Sequence, residues 1–228
     1  MAAFGRTVEQ LLTSLTLDVT LPDGFSVLDP YRSDDVRSVI HQFCATYYTG
    51  THARLSVWGI NPGRFGAGVT GLSFTDPYAL THQLGLQSAL TGRREPSAEF
   101  ISSVIDAYGG PKAFYRDIFM SALSPLGFVK DGKNINFYDD AQLKADIVPF
   151  VLDSMRTMIK AGLRTDATVL LGSGALKTFF EKHIRPHIHF DTVVYLDHPR
   201  YVMQYRRREM ERYVQEYVRT LQRFTAEP

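Results

Sequence analysis

His198 is the residue whose type and position point most directly to chemistry. It lies two residues after the apolar run Thr192–Leu196 and immediately before Pro199, which restricts its backbone. A histidine fixed at the carboxyl end of a strand can donate a hydrogen bond to a developing negative charge. The alternative is a histidine that only hydrogen-bonds its own loop, and these residues alone leave both interpretations open.

Asn61 is a second residue whose type and position point to chemistry. It is held by the following Pro62 and lies in a stretch with five glycines between positions 59 and 71. Because glycine has no side chain, the stretch lets the backbone approach a ligand closely. It lacks the Gly-Lys-Ser/Thr ending of a P-loop, and neither the glycine order nor an acidic residue about 20 positions later fits a dinucleotide fingerprint. A small-molecule enzyme that binds a nucleotide phosphate is therefore disfavoured.

Two further segments carry groups suited to anions. Gly172-Ser173-Gly174 precedes a predicted helix, whose N-terminal amides could hold one phosphate with Lys177 nearby. Five arginines crowd between positions 200 and 212, where they form either a solvated helix face or a contact with a polyanion. By contrast, Pro186 interrupts the histidines of positions 183–189, so we predict no metal site there.

Four short apolar runs are the elements that must position these residues. They are predicted as buried strands at Leu55–Ile60, Ile118–Leu123, Thr168–Leu171 and Thr192–Leu196. Segments of helical periodicity separate them, which indicates crossover connections and a mainly parallel sheet. Ligands of such sheets bind at the carboxyl ends of the strands, where Asn61 and His198 lie. We therefore predict an α/β fold, a three-layer sandwich with a central four-stranded mainly parallel sheet flanked by helices.

The predicted helices surround these strands along the chain. A helix capped at Ser33 runs to about Tyr48, and the polar stretch Lys130–Asn136 is predicted as a surface loop or turn. The other helices are predicted at Pro77–Leu90, Ser97–Tyr108, Asp140–Ala161, Ala175–His183 and Tyr205–Phe224.

Length and composition indicate one globular domain. The chain has 228 residues, of which 44% are hydrophobic and 21% charged, and its net charge is +1. We predict a single domain over 1–228, with 1–50 a helical N-terminal extension packed on it. The single cysteine, Cys44, excludes an internal disulfide and any four-thiolate zinc or iron–sulfur site. Without a secretory or membrane-spanning pattern, the expected location is cytoplasmic, and nucleoid-associated if the source is bacterial.

Two motifs together resemble those of the uracil-DNA glycosylase superfamily. Gly59-Ile60-Asn61-Pro62-Gly63-Arg64-Phe65-Gly66 continues to Thr70-Gly71-Leu72-Ser73-Phe74, and the second motif is His198-Pro199. The first is similar to Gly-Met-Asn-Pro-Gly-Pro-Phe-Gly followed by Thr-Gly-x-x-Phe in the single-strand-selective monofunctional branch. The resemblance implies a hydrolase that flips a deaminated base out of DNA and cleaves its N-glycosidic bond without metal or other cofactor. The product is an abasic site, the substrate of base excision repair.

The resemblance also implies a role for each matched residue. Asn61 orients the attacking water, and His198 donates a hydrogen bond to the O2 atom of the leaving base. Phe74 stacks on the flipped base. Gly63 replaces a tyrosine that excludes thymine in another branch, which predicts a roomier pocket. The loop residues expected to contact the edge of the base are Gly59, Ile60, Gly63 and Phe65.

DNA contacts are implied on either side of this pocket. The segment after His198 resembles a minor-groove wedge, in which the inserted residue is Tyr201, Val202 or Met203. We expect a monomer that acts on single- or double-stranded DNA containing deaminated bases, with no membrane partner. The residues expected to contact phosphates are Ser173, Lys177, Arg200, Arg206, Arg207 and Arg208.

The second predicted strand departs from the superfamily pattern. Members usually place an asparagine at its end to read uracil, whereas the alignment puts Ala122 there, or Ser121 after a one-residue shift. Either residue lacks a bidentate amide, so discrimination among bases should relax. We therefore predict a divergent sub-branch that acts on uracil and also on hypoxanthine or xanthine. Asn61 in place of aspartate predicts slow turnover. The alternative is a non-catalytic nucleic-acid-binding module on the same fold.

Overall fold

The computed structural model of the chain describes residues 1–21 and 23–225; position 22 and positions 226–228 of the predicted domain lie outside the described residues. Its strands are β1 (Phe25–Leu28), β2 (Arg54–Gly59), β3 (Ile118–Ala122), β4 (Gly127–Lys130), β5 (Lys133–Ile135), β6 (Leu163–Leu171) and β7 (Thr192–Leu196).

Helices fill most of the remaining described chain. They are α1 (Ala3–Thr13), α2 (Asp34–Tyr47), α3 (Ala67–Thr70), α4 (Pro77–His82), α5 (Pro96–Tyr108), α6 (Pro111–Asp117), α7 (Ala141–Lys160), α8 (Ala175–His183), α9 (Pro199–Tyr205) and α10 (Met210–Thr225). Short 3₁₀ turns cover Pro30–Arg32 and Arg207–Glu209.

The central sheet contains four parallel strands in the order β3-β2-β6-β7, which confirms the predicted fold class. Gly59 pairs with Ala122, and Leu171 pairs with Leu196, so the carboxyl ends of the strands meet at one edge. Every residue of β2 is buried, as expected for an inner strand covered on both faces. The loops that carry Asn61 and His198 therefore leave the sheet on the same side.

A second, antiparallel sheet in the order β1-β4-β5 stands beside this edge. It corrects the prediction that Lys130–Asn136 is only a loop. Asp131 and Gly132 both have positive φ, at 47° and 73°, which is the backbone of a two-residue hairpin turn between β4 and β5. The N-terminal 50 residues, expected to be helical, contribute β1 to this sheet as well as α1 and α2.

Two predicted helices differ from the structure. The helix predicted over Pro77–Leu90 ends at His82, and Gly85, at φ 62°, belongs to an irregular segment that runs to Glu95. The helix predicted over Tyr205–Phe224 begins only at Met210, as α10, and a separate helix, α9, covers the segment before it that was predicted as a loop. Pro199 occupies the first turn of α9 and His198 caps it, so a helix begins directly after the second motif.

The core is continuous through the central sheet and its helices. Helix α5 packs against both α9 and α10, and α1 packs against α2 and α7. Val202 of α9 and Tyr217 of α10 are almost fully buried there. Among the described residues, none of the helices combines the length and apolar character needed to cross a membrane.

Candidate active site

A cleft of about 410 Å³ opens at the carboxyl edge of the central sheet. The loops after β2 and β7, the end of β3 and the β4–β5 hairpin form its walls. Nine of the residues predicted from the sequence line it, namely Gly59, Ile60, Asn61, Gly63, Phe74, Ala122, His198, Arg200 and Tyr201.

The side chain of Asn61 is fixed by the backbone around it. Its Nδ2 donates to the carbonyl oxygens of Ile135, at 3.2 Å, and Pro62, at 3.3 Å, while its Oδ1 accepts from the amide of Phe137 at 3.2 Å. A primary amide has two donor hydrogens and two acceptor lone pairs. Both hydrogens and one lone pair are therefore used, and Asn61 can accept one further hydrogen bond, on Oδ1.

Phe74 is placed by an unusual backbone and by a glycine. Its φ of 55° is rare for a residue with a side chain, and such strain is often found at functional sites. Its ring lies so close to Gly59 that a Cβ there would come within 2.7 Å of Cζ. Gly59 is therefore required for Phe74 to lie against the end of β2, facing the cleft.

His198 lies beside Phe74 in the lining of the cleft, with 6.0 Å between the ring centroids and 51° between the ring planes. The amide of Arg200 donates to its Nδ1 at 3.1 Å, as expected for a residue that caps α9. Because Nδ1 accepts, the neutral ring carries its proton on Nε2. Burial, and to a smaller extent the charge of Arg200, lower the pKa of His198 to about 4, so the ring is neutral near pH 7.

The hairpin partly fills the space above Gly63. The Nδ2 of Asn134 lies 3.2 Å from the position a Cβ on Gly63 would take, and the Oδ1 of Asn134 accepts from the amide of Arg64. The room gained from a glycine at this position is therefore shared with an amide from the neighbouring sheet.

Glu95 brings a carboxyl group to the wall of the same cleft. Burial raises its pKa, and nearby Asp76 adds to that shift, whereas Ser97 and Arg200 oppose it. One of its oxygens would lie 2.8 Å from a Cβ placed on Gly66, which ties it to the glycine loop. In the described part of the chain, no group of three or more His, Cys, Asp or Glu side chains is arranged to hold a metal ion.

Four of the residues predicted to contact the base or to form the wedge do not line the cleft. Phe65 is 39% exposed and lies between the guanidinium groups of two arginines, outside the cleft lining. Ser121 lines a small interior cavity instead, so Ala122 is the residue that ends β3 at the cleft. Val202 and Met203 are buried in the core, which leaves Tyr201 as the exposed member of the predicted wedge.

The predicted phosphate contacts are partly occupied within the chain. Ser173 donates to a carboxylate oxygen of Asp197 at 2.5 Å, and Lys177 lies over the ring of Tyr195 at 5.2 Å. Arg207 pairs with Glu99 at 2.9 Å, and Arg206 lies 3.8 Å from Glu209. Arg200, in contrast, lines the cleft itself.

Other cleft residues were missed by sequence reasoning. The hairpin residues had a signal, because Asp-Gly, here Asp131-Gly132, is a dipeptide favoured in two-residue hairpin turns, although its neighbours are polar. Glu95 had none, since the segment around it is irregular. The missed residues are Ser73, Glu95, Ser97, Asn134, Asn136, Asp139, Gln204 and Tyr205.

Comparisons with known proteins agree with this geometry. Residues 46–222 match the family model of the uracil DNA glycosylase superfamily. The crystal structure of wild-type SMUG2 from Pedobacter heparinus is 32% identical and has a TM-score of 0.93, covering 98% of this chain and 99% of that chain. A search of curated proteins found no match. The chain therefore belongs to the uracil-DNA glycosylase superfamily and is a DNA glycosylase of the hydrolytic type.

Proposed function

We propose that this enzyme releases uracil from DNA by hydrolysis, with Asn61 orienting the water and His198 stabilising the departing base. The observation that carries the proposal is the complementary hydrogen bonding of these two side chains in one cleft. Asn61 has one acceptor left, and neutral His198 has one donor left on Nε2. Glycosidic cleavage needs an acceptor for water on one side of the sugar and a donor for the base on the other.

The free lone pair of Asn61 suits a nucleophilic water. A water that donates to Oδ1 keeps its own lone pairs for attack at the anomeric carbon. An amide is a weak base, so Asn61 contributes position more than proton abstraction. Slow turnover is the expected consequence.

His198 acts as a neutral donor. Cleavage leaves negative charge on the base, and an N–H aimed at its O2 stabilises that charge as it develops. The lowered pKa keeps the imidazole neutral, so the ring donates a hydrogen bond without placing a positive charge in the cleft before the reaction. Phe74, beside this ring, provides the face on which the flipped base stacks.

The end of β3 supports a broadened choice of base. Ala122 faces the cleft with a methyl group, so no side-chain amide at this position pairs with uracil. A site without that pairing penalises other bases less. We therefore extend the proposal to hypoxanthine and xanthine, which present a similar carbonyl and N–H on a larger purine frame.

Tyr201 and Arg200 are the proposed DNA contacts at the mouth. Both line the cleft, and Tyr201 is 38% exposed on α9, where it can fill the gap left by a flipped nucleotide. Arg200 supplies a cation for an adjacent phosphate. Asn61 and His198 line the same cleft of one chain, so the proposed chemistry needs no residue from a second copy, and the proposed active form is a monomer.

Oligonucleotides with one uracil, hypoxanthine or xanthine test the proposal. The protein is incubated with them in EDTA as single strands and duplexes, and hot alkali then cuts the abasic sites. We expect cleavage at the modified base, with uracil fastest, and a drop of about 10² in single-turnover rate for Asn61→Ala, because the water is no longer positioned. An Asn61→Ala protein as fast as wild type would remove Asn61 from the mechanism. Equal rates on uracil and thymine would contradict the proposed selectivity.

A further inference from the structure

A strip of exposed aromatic and arginine side chains runs along the rim of the cleft. We call it the aromatic–arginine strip. Its members are Arg64, Phe65, Tyr78, His82, Arg93 and Arg94, and all six are exposed.

The members come from three separate segments and form two groups of contacts, which are joined where Arg93 and Arg94 follow each other in the chain. The guanidinium groups of Arg64 and Arg93 lie 4.9 and 5.7 Å from the centre of the Phe65 ring. Arg94 lies over Tyr78 at 3.8 Å. Tyr78 in turn stacks on His82, with 3.9 Å between ring centroids and 9° between planes.

The strip joins the cleft at two points. Phe65 lies two residues after Gly63, and Arg94 directly precedes Glu95, and both Gly63 and Glu95 line the cleft. Buried Asp76 fixes this arrangement: one of its carboxylate oxygens accepts from the amide of Glu95 at 2.8 Å and lies 3.5 Å from Arg94. A strand of DNA whose nucleotide occupies the cleft would thus pass beside the strip.

Exposed rings of this kind have little to gain from duplex DNA. A duplex presents phosphates and groove edges, whereas an unpaired strand presents flat base faces. Arg94 and His82, at 3.8 and 3.9 Å from the centre of the Tyr78 ring, cover its two faces, so a base stacks on the outer side of this stack. Arginine guanidinium planes and imidazole rings stack on unpaired bases as aromatic rings do. Tyr78 is 47% exposed and Phe65 39%, and the guanidinium groups complement the phosphates. Aromatic rings interleaved with cations are the pattern that binds single strands without regard to sequence.

We propose that the aromatic–arginine strip binds the unpaired nucleotides that flank the flipped nucleotide in single-stranded DNA. The inference rests on the proposed function only in taking DNA as the substrate. It assigns a stacking role outside the cleft to Phe65 and to the stack that Arg94 and His82 form on Tyr78, and a phosphate contact to Arg93.

The test is equilibrium binding to undamaged DNA. The probes are a fluorescein-labelled single strand of about 16 nucleotides and a duplex of the same sequence, read by anisotropy at several salt concentrations. We expect the double variant Phe65→Leu/Tyr78→Leu to bind the single strand at least about tenfold more weakly, because it removes the Phe65 ring and the ring on which Arg94 and His82 are stacked. Duplex affinity and the salt dependence should stay at wild-type values. Leucine keeps an apolar surface residue, so folding is preserved.

Arg93→Gln provides a second arm, and Arg156→Gln on α7, which contributes no residue to the cleft, is its matched control. Arg93→Gln should lower the salt slope on the single strand by about 1, and the control should not. An equal loss on single strand and duplex, or no loss in the double variant, would overturn the inference.

These outcomes separate the strip from the proposed chemistry. If the wild-type protein releases uracil and the double variant binds undamaged single strands normally, the proposed role of the strip is wrong and the proposed function is kept. If the wild-type protein releases no base but the double variant loses affinity for single strands, the proposed role of the strip is kept and the proposed function is wrong.

Discussion

The loops that follow β2 and β6 look alike in sequence but use their polar groups differently. Both are rich in glycine, and both lead from a central strand into a helix. In the first, Asn61 keeps one acceptor toward the cleft, whereas in the second the hydroxyl of Ser173 is taken by Asp197. Glycine content indicates where a backbone can approach a ligand closely. Whether the loop can also hydrogen-bond the ligand depends on the donors and acceptors that its own side chains leave free.

Asp197 and His198 divide one short segment between these two loops. The carboxylate of Asp197 accepts a hydrogen bond from Ser173 of the β6 loop, and its backbone carbonyl accepts one from the hydroxyl of Tyr217. His198, the next residue, lies beside Phe74 of the β2 loop. The segment is therefore anchored on one side while it presents a donor on the other, and variants at each position should separate the two tasks.

The largest effect is expected from His198→Ala. The change removes the Nε2 donor on which the leaving base depends, and losing one such preorganised donor lowers the rate by about 10²–10³. The measurement is the single-turnover release of uracil with enzyme in excess. His198→Gln, which restores an N–H donor, should recover part of the loss. If His198→Ala keeps nearly full activity, the residue serves only to cap α9.

A smaller loss is expected from Asn61→Asp. In the resemblance some branches carry aspartate here, but in this chain the side chain donates to the carbonyls of Pro62 and Ile135. A carboxylate would face both carbonyls without a hydrogen to share, so it would rotate or repel the hairpin. We expect uracil release to fall by about tenfold to 100-fold and the free energy of unfolding to fall by about 1–3 kcal/mol.

Urea unfolding and single-turnover kinetics on the same preparation measure the two effects of Asn61→Asp. An Asn61→Asp enzyme that is faster than wild type and equally stable would show that the hairpin does not restrict the choice at position 61.

A pH effect follows from the lowered pKa of His198. The folded value is about 4, below the ordinary value of 6.5, so the unfolded chain binds this proton more tightly between those pH values. The contribution of His198 is complete above about pH 6.5 and is lost as the pH falls toward 4. The full shift corresponds to about 3 kcal/mol, and partial exposure of the ring reduces the expected change to about 1–2 kcal/mol.

His198→Asn is the matched control for this pH effect, because asparagine caps a helix well and does not titrate. The difference in unfolding free energy between wild type and this variant should shrink as the pH falls from about 7 to about 4.5. A difference that is constant with pH would mean that the folded structure does not lower the pKa of His198.

The central sheet, and the presence of Asn61 and His198 in one cleft, were predictable because they depend on local patterns. Short apolar runs separated by helical periodicity define a parallel sheet, and its carboxyl edge collects whatever follows each strand. The hairpin that fixes Asn61 was missed because the polar residues around Asp131-Gly132 hid a two-residue turn.

The orientation of exposed and buried side chains was not predictable in the same way. Which of Tyr201, Val202 and Met203 faces solvent depends on how α9 packs against α5, and that packing buries Val202 and Met203. Phe65 belongs to the motif, yet the irregular segment carrying Arg93 draws its ring to the surface. Contacts between segments far apart in sequence decide both cases.

The smallest effect is expected from Ser173→Ala. In the resemblance this serine contacts a phosphate, but its hydroxyl is already donated to Asp197 at 2.5 Å, and phosphate would have to compete with a carboxylate that also repels it. We expect uracil release from a duplex to change by no more than about twofold and its salt dependence to stay the same. Lys177→Gln, measured alongside, should likewise leave the salt slope unchanged, because Lys177 lies over Tyr195. A tenfold loss of DNA affinity in Ser173→Ala, with a lower salt slope, would show that DNA displaces Asp197 from Ser173. The β6 loop would then resemble the β2 loop in the bound state, and the difference between the two loops would be a property of the free enzyme only.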